Sequence, residues 1–325
     1  MSPAREGGRL LLLAAAAAWP FFVHDPAAHQ VGVEVLVYVL IGLSFVVTLG
    51  WLRTVTLLQP AAAAAGGLMM GELLHIGQAL PVGILAAALA GATVGVVTVA
   101  PVLRQPRRYL PVWSFAVALL AWGVLVPRVL SVPFARPVPL GIDLAGDRTL
   151  YVAGLLVAGA AYLGIAAVRR LDLGRRLITV GAAPGLAARS GVGVAATWVE
   201  GGILAGMLSG LGGALFAVLV QSSPGPEQWS PAVGIALLAI PLVGGAVVPE
   251  GAVIGAAVYA VAPRLWPGTG DPVMVGALLA VLAAVLIPGG LLGVLMPGRR
   301  DRAAHAGAGR LQSGPAQPGS PETVP

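Results

Sequence analysis

The feature that most limits what this chain can fold into is a succession of long apolar runs separated by short polar interruptions. A helix needs roughly 20 mostly apolar residues to cross about 30 Å of hydrocarbon. About ten stretches approach that length: Leu10 to Val23, Val31 to Leu52, Val55 to Leu74, Pro81 to Val102, Pro111 to Leu130, Leu150 to Val168, Val199 to Gln221, Ala232 to Val248, Gly251 to Leu265, and Pro272 to Met296. The first and ninth are short, so the count lies between eight and ten. A backbone in lipid must satisfy its own hydrogen bonds, which makes such runs helices. Charged side chains are 10% of the 325 residues, where a water-soluble domain carries about 25%. Too few polar groups exist to coat a globule in water, and the expected fold is all-α: a polytopic transmembrane helix bundle.

The first run follows Arg5 and Arg9, as a signal peptide would, but bulky "WPFFVHDP" occupies the place where a peptidase needs small side chains. It is expected to be a retained span. With the N-terminus inside, fifteen arginines fall in cytoplasmic segments, and four, Arg128, Arg136, Arg148 and Arg264, fall outside. That is the positive-inside pattern and places both termini in the cytoplasm. The formal charge of +6 therefore marks inner loops of a membrane protein and implies no nucleic acid. Residues 1–298 form the expected membrane domain. Residues 299–325, rich in Gly, Pro, Ser and Gln, form an expected disordered cytoplasmic tail.

No cysteine and no lysine occurs in the chain. Disulfides and thiolate metal sites are excluded, as is a Walker-type phosphate loop, which needs its lysine. Any use of ATP must rest on another polypeptide. Glu72 and His75 stand three apart on one helical face, but a di-iron bundle needs a second such pair, and none is present. Neither a metal nor a cofactor is expected. Glu34 and Glu200 fall near span ends; a buried Glu34 would suit a proton relay, although no basic partner lies at a matching depth in the placed helices. Ser114 lacks the glycine-flanked context of a nucleophile.

Small residues govern packing between membrane helices. Gly202, Gly206 and Gly210 recur every four residues, and Gly91 with Gly95 and Gly251 with Gly255 repeat the device. Two segments read as interruptions: Pro60 followed by Gly66 and Gly67, and Gly244, Gly245, Pro249 and Gly251. Unwound helices at membrane depth often line a substrate path. For the second segment, a plain loop between spans is an equal alternative.

Three stretches carry a family likeness: "LGRRLITVGAAPGLAARSGVGV", "GGILAGMLSGLGGALFA" and "PEQWSPAVGIALLAIPLVGGAVVPEGAVIGAAVYAV". In that order and spacing they resemble the membrane permeases of branched-chain amino acid ABC transporters. Gly174, Arg175 and Leu177, with Ala187, Ala188, Gly191 and Val192, fit the family's Gly-Arg-Ala-Leu element and its continuation. Ala205, Gly206, Gly212, Gly213, Ala214 and Leu215 fit the next span, and Pro224, Pro231, Gly244, Gly245, Gly251, Gly255 and Ala256 fit the last element. Toward the N-terminus Gln59 stands in a His/Gln place and Gly66 near a motif glycine, while Ser44 replaces the usual asparagine.

The resemblance implies an ABC permease subunit in a bacterial plasma membrane that imports branched-chain amino acids or similar small solutes. It implies as partners ATP-binding subunits, a second permease subunit and an extracytoplasmic solute-binding protein. Residues 169–198 would be the cytoplasmic coupling loop, with a helix near Ala182 to Ser190. Gly174, Arg175, Leu177, Ala187, Ala188 and Gly191 would contact the ATPase. Gln59, Pro60, Gly66 and Gly244 are the candidate translocation-pathway residues. A sugar or nucleoside permease of the same superfamily, a proton-coupled secondary carrier and a non-transporting scaffold remain as alternatives.

Overall fold

The computed structural model describes residues 26–104, 107–125, 147–220, 229–265 and 272–286, together with Leu291. The expected span Leu10 to Val23, the tail 299–325, and the far ends of the fifth and tenth spans lie outside the described residues. Every regular element described is helical. The elements are α1 (Pro26–Phe45), α2 (Leu58–His75), α3 (Leu80–Val99), α4 (Leu110–Leu120), α5 (Asp147–Val168), α6 (Asp172–Ala182), α7 (Pro184–Arg189), α8 (Val194–Val220), α9 (Pro231–Leu237), α10 (Ala239–Gly244), α11 (Pro249–Leu265) and α12 (Pro272–Leu286). Four helical stretches, Ala28–Trp51, Leu80–Val99, Leu150–Val168 and Val194–Val220, are long and apolar enough to cross a membrane. The chain is a multi-pass membrane protein.

α8 is the axis of the bundle and packs on α3, α2 and α1. Its contacts are made by backbone. A Cβ at Gly206 would collide with the Gly91 carbonyl, one at Gly95 with the Gly202 carbonyl, and one at Gly66 with the Gly210 carbonyl. Gly213 abuts the Ala63 carbonyl of α2 in the same way. The four-residue glycine spacing thus sets how closely three helices approach. On the neighbouring face Gly212 sits against Val37, Leu40 and Ile41 of α1. α1 lies deep in the bundle, with 78% of its apolar window buried; α5 lies at the rim with 33%. On α5, Val152, Leu156 and Leu163 are exposed, as suits a surface that meets lipid.

α10, α11 and α12 form a second group. Gly244 meets the Gly251 carbonyl, Gly255 meets the Ile240 carbonyl, and Gly276 of α12 sits against Tyr259 and Ala236. The expected eighth span, Ala232 to Val248, is broken into α9 and α10 at Leu238. Pro241 explains the break: its ring clashes with the carbonyl four residues back, at Leu237, and it donates no hydrogen bond. The second expected interruption is a turn between α10 and α11, with Gly245 at φ 103, so the plain-loop alternative holds there.

The first expected interruption falls elsewhere. Pro60 is the third residue of an unbroken α2, and Gly66 and Gly67 are helical. Proline is tolerated in a first turn, where its missing N–H has no helical partner in any case. The break precedes it. α1 widens into a π-turn, Val46–Trp51, Arg53 takes a left-handed φ of 52, and an irregular stretch leads to Leu58. Along it Thr54 and Thr56 are buried while Arg53 and Val55 are exposed, the alternation of an extended chain.

Candidate functional site

Two regions carry chemistry beyond packing: the break between α1 and α2, and the arm formed by α6 and α7.

At the break, Gln59 is fully buried. Its Nε2 donates to Thr48 Oγ1 at 3.2 Å and to Ser44 Oγ at 3.4 Å. Ser44 lies in the last turn of α1 and Thr48 in the π-turn that follows, and the Thr48 hydroxyl donates back to the Ser44 carbonyl at 3.3 Å. Such bonding to the carbonyl four residues earlier loosens a helix, and the π-turn begins here. Non-helical backbone at membrane depth must be shielded by protein. Here the Thr54 N–H donates to the Thr48 carbonyl at 3.0 Å, and the Leu57 N–H donates to Ser114 Oγ of α4, also at 3.0 Å. Two polar atoms of the region, Gln59 Oε1 and Thr56 Oγ1, are buried with no partner among the described residues. Pro60 packs against Gly234 of α9.

The four expected pathway residues do not converge. Gln59 and Pro60 share this break, whereas Gly66 is spent on the α8 contact and Gly244 on the α11 contact. Ser44 and Thr48 were not singled out as functional; the signal available was two hydroxyls four residues apart in an apolar run.

The arm continues α5 at one end of the bundle. α6 is amphipathic, with Gly174, Leu177, Val180 and Gly181 buried. A Cβ on Gly174 would strike the Val168 carbonyl, and one on Gly181 the Trp51 carbonyl. The arm is therefore seated directly on the π-turn of α1. Arg176 Nη2 lies 3.2 Å from Glu200 Oε2 and ties α6 to α8. Arg175 pairs with Asp172 one turn back. The hydrogen bond and the charge of Arg175 hold the Asp172 carboxyl below the usual carboxylate range.

The expected coupling helix, Ala182 to Ser190, is α7 alone, Pro184–Arg189, preceded by the longer α6. Of the expected contact residues, Arg175, Ala188 and Gly191 are exposed, but Gly174, Leu177 and Ala187 are buried in the chain's own body. A helix seated on its own bundle spends its small and apolar residues on that seat. Leu186 was not among the expected residues, yet it is 63% exposed on α7 beside exposed Arg189.

Glu34 has a basic partner after all: Arg264 Nη2 of α11 donates to its Oε2 at 2.9 Å. The pair is 230 residues apart in the chain and partly exposed. Among the described residues no group of three His, Cys, Asp or Glu side chains is placed to hold a metal ion. A shallow cleft between α2, α3, α5 and α8 is lined by apolar residues, among them Met70, Ile84, Leu150 and Leu215, and no polar group converges on it.

Residues 28–287 match the family model described as the branched-chain amino acid transport system permease component. No curated sequence matches the chain. A solved inward-facing structure assigned to the metal-chelate type of ABC transporter aligns at 18% identity and a TM-score of 0.48, over 91% of this chain and all of that one.

Proposed function

This chain belongs to the permease-component family of branched-chain amino acid transport systems, and from that premise we propose that it is the membrane subunit of an ABC importer. The complex resides in a bacterial plasma membrane and moves branched-chain amino acids or similar small solutes inward. The chain has no phosphate-binding loop of its own, and ATP is hydrolysed on partner subunits. A second permease subunit completes the membrane part, and an external solute-binding protein delivers the cargo.

The observation that carries this reading is the arm. A short amphipathic helix pair is held at one end of an apolar bundle, seated on the π-turn through Gly181 and Trp51 and on α8 through Arg176 and Glu200. Leu186 and Arg189 of α7 point away from that seat and are the surface offered to the ATPase. A push on α7 passes through α6 to the inner end of α1, where helix gives way to the polar break. Alternating access needs such a connection between the nucleotide-driven part and the solute path.

The test is co-purification of the chain with its ATPase subunit from membranes. Leu186→Asp combined with Arg189→Glu is expected to abolish co-purification while membrane insertion and thermal stability stay unchanged, since both side chains lie outside the body of the protein. Full retention of the ATPase sinks the docking assignment. Uptake by this polypeptide alone, driven by a proton gradient, sinks the ABC reading and favours a secondary carrier.

A further inference from the structure

A buried acceptor without a donor is costly, at about 1–3 kcal/mol, and Gln59 Oε1 stands in that condition inside the bundle. The amide can be turned around without removing the difficulty. Ser44 and Thr48 satisfy one end, and the other end still has no partner. Thr56 Oγ1, three residues earlier, is orphaned too. So is Ser209 Oγ on α8, one turn before the Gly213 that abuts Ala63 of α2.

The same place holds the start of α2. A helix begins with N–H groups that have no partner within it. Here Ser114 takes the N–H of Leu57, Pro60 has none, and no side chain caps the helix. Among the described residues, no backbone acceptor takes the N–H groups of Leu58 and Gln59. Both residues are fully buried, and no acidic residue sits in the first turn. The positive end of the helix dipole thus faces the interior of the bundle without a counter-charge.

We propose that the break between α1 and α2 binds the polar head of the transported solute, with Gln59 Oε1 accepting its hydrogen-bond donor and the Leu58 and Gln59 N–H groups holding its anionic end. This rests on the transport reading above and adds the atoms that recognise the cargo. The chemistry required is a donor and a carboxylate a few ångströms apart, as in a free α-amino acid. Ser44 and Thr48 hold the Gln59 amide in place and are positioning residues. In the conformation seen here the site is closed over, and the solute reaches it when the inner end of α1 moves.

The experiment uses the assembled transporter in proteoliposomes, fed L-leucine through its binding protein, with Gln59→Leu as the variant. One lost hydrogen bond to a charged group predicts a KM for uptake raised by about tenfold, with kcat and ATPase co-purification unchanged. In parallel, L-leucine is added to the detergent-purified full chain, where it is expected to raise the melting temperature of the wild type and not of Q59L. The corresponding amine, lacking the carboxylate, and the corresponding acid, lacking the ammonium, are each expected to shift it far less. An unchanged KM, or a fall in kcat at constant KM, overturns the proposal and assigns Gln59 to structure. Equal shifts by the amine and the intact amino acid overturn the role of the α2 N-terminus. Absence of ATP-driven uptake of any solute overturns the importer reading instead, and the melting experiment then still decides whether Gln59 binds the amino acid.

Discussion

The interface of α8 with α2 and α3 and the break between α1 and α2 lie in one bundle and are built on opposite principles. In the first, glycines bring backbone against backbone, and no space is left for even a methyl group at Gly206 or Gly213. In the second, hydroxyl and amide side chains take part in the links beside the backbone, and polar atoms are left over at Gln59 and Thr56. Close backbone packing is stiff, because main-chain atoms cannot swing aside as side-chain ends do. A polar cluster with unmet bonds is held less firmly and gains by rearranging or by acquiring a ligand. The bundle thus contains a rigid axis next to a strand of chain that has reason to change.

The comparison is tested hardest at the glycines. Gly213→Ala places a methyl group on the Ala63 carbonyl and is expected to destabilise by about 3 kcal/mol, the upper range for overpacking. Gly159 of α5 has nothing within 4 Å of a would-be Cβ, and Gly159→Ala is expected to stabilise by about 0.5–1 kcal/mol through helix propensity alone. Melting of the two variants in the same detergent measures the contrast. Similar losses in both would mean that the α8 contact is not a backbone lock.

At the break the expected sign reverses. Gln59→Leu removes an orphaned acceptor together with two hydrogen bonds, and leaves Ser44 and Thr48 able to bond to their own helix. The stability change is expected to be near zero or favourable by about 1 kcal/mol, measured by melting without solute. A loss of more than about 3 kcal/mol, as when a buried bonded group is broken, would show the cluster to be a structural anchor and erase its contrast with the glycine face.

These two regions were not equally legible in the sequence. Apolar runs announce membrane helices because the length of a span is fixed by the bilayer, and the glycine repeats announce close packing because a helix returns to one face every four residues. The break was placed too late. Pro60, Gly66 and Gly67 suggest unwinding within α2, but proline fits a first turn and Gly66 sits within the helix, in close contact with Gly210. The stretch that leaves the helix is Arg53 to Leu57, whose Thr-Val-Thr carries the extended-chain preference of β-branched residues. α6 and α7 fall within the expected loop 169–198, and the helical spacing of Gly174, Leu177 and Gly181 marks a face buried against the chain's own bundle. The pairing of Glu34 with Arg264 spans 230 residues and has no local signature at all.

That pair offers a weaker test of the same contrast. It joins α1 to α11 through side chains that are 29% and 42% exposed. A double-mutant cycle with Glu34→Gln and Arg264→Gln is expected to give a coupling below about 1 kcal/mol, and less as salt is raised. A coupling as large as the Gly213 effect would mean that a polar link, and not backbone contact, holds the two helix groups together.

The smallest effect is expected at Asp172, where the arm carries a fully exposed pair. Arg175 depresses the Asp172 carboxyl, so whatever the pair contributes to α6 is present above the unfolded carboxylate pKa and is lost as pH falls through the lower, folded one. Arg175→Gln should move the carboxyl titration back up toward its ordinary range, read by carbon NMR of labelled aspartate. The melting temperature should barely change, because water and salt screen a pair this exposed. Asp172 also sits in the first turn of α6, where the helix dipole favours its ionised form. Part of the depression should therefore survive the loss of Arg175, and a titration that returns fully to the ordinary value would assign all of it to the arginine. If melting instead followed the titration closely, the seat of α6 on the π-turn would depend on this charge, and the close contacts at Gly174 and Gly181 would not be what fixes the arm to the bundle.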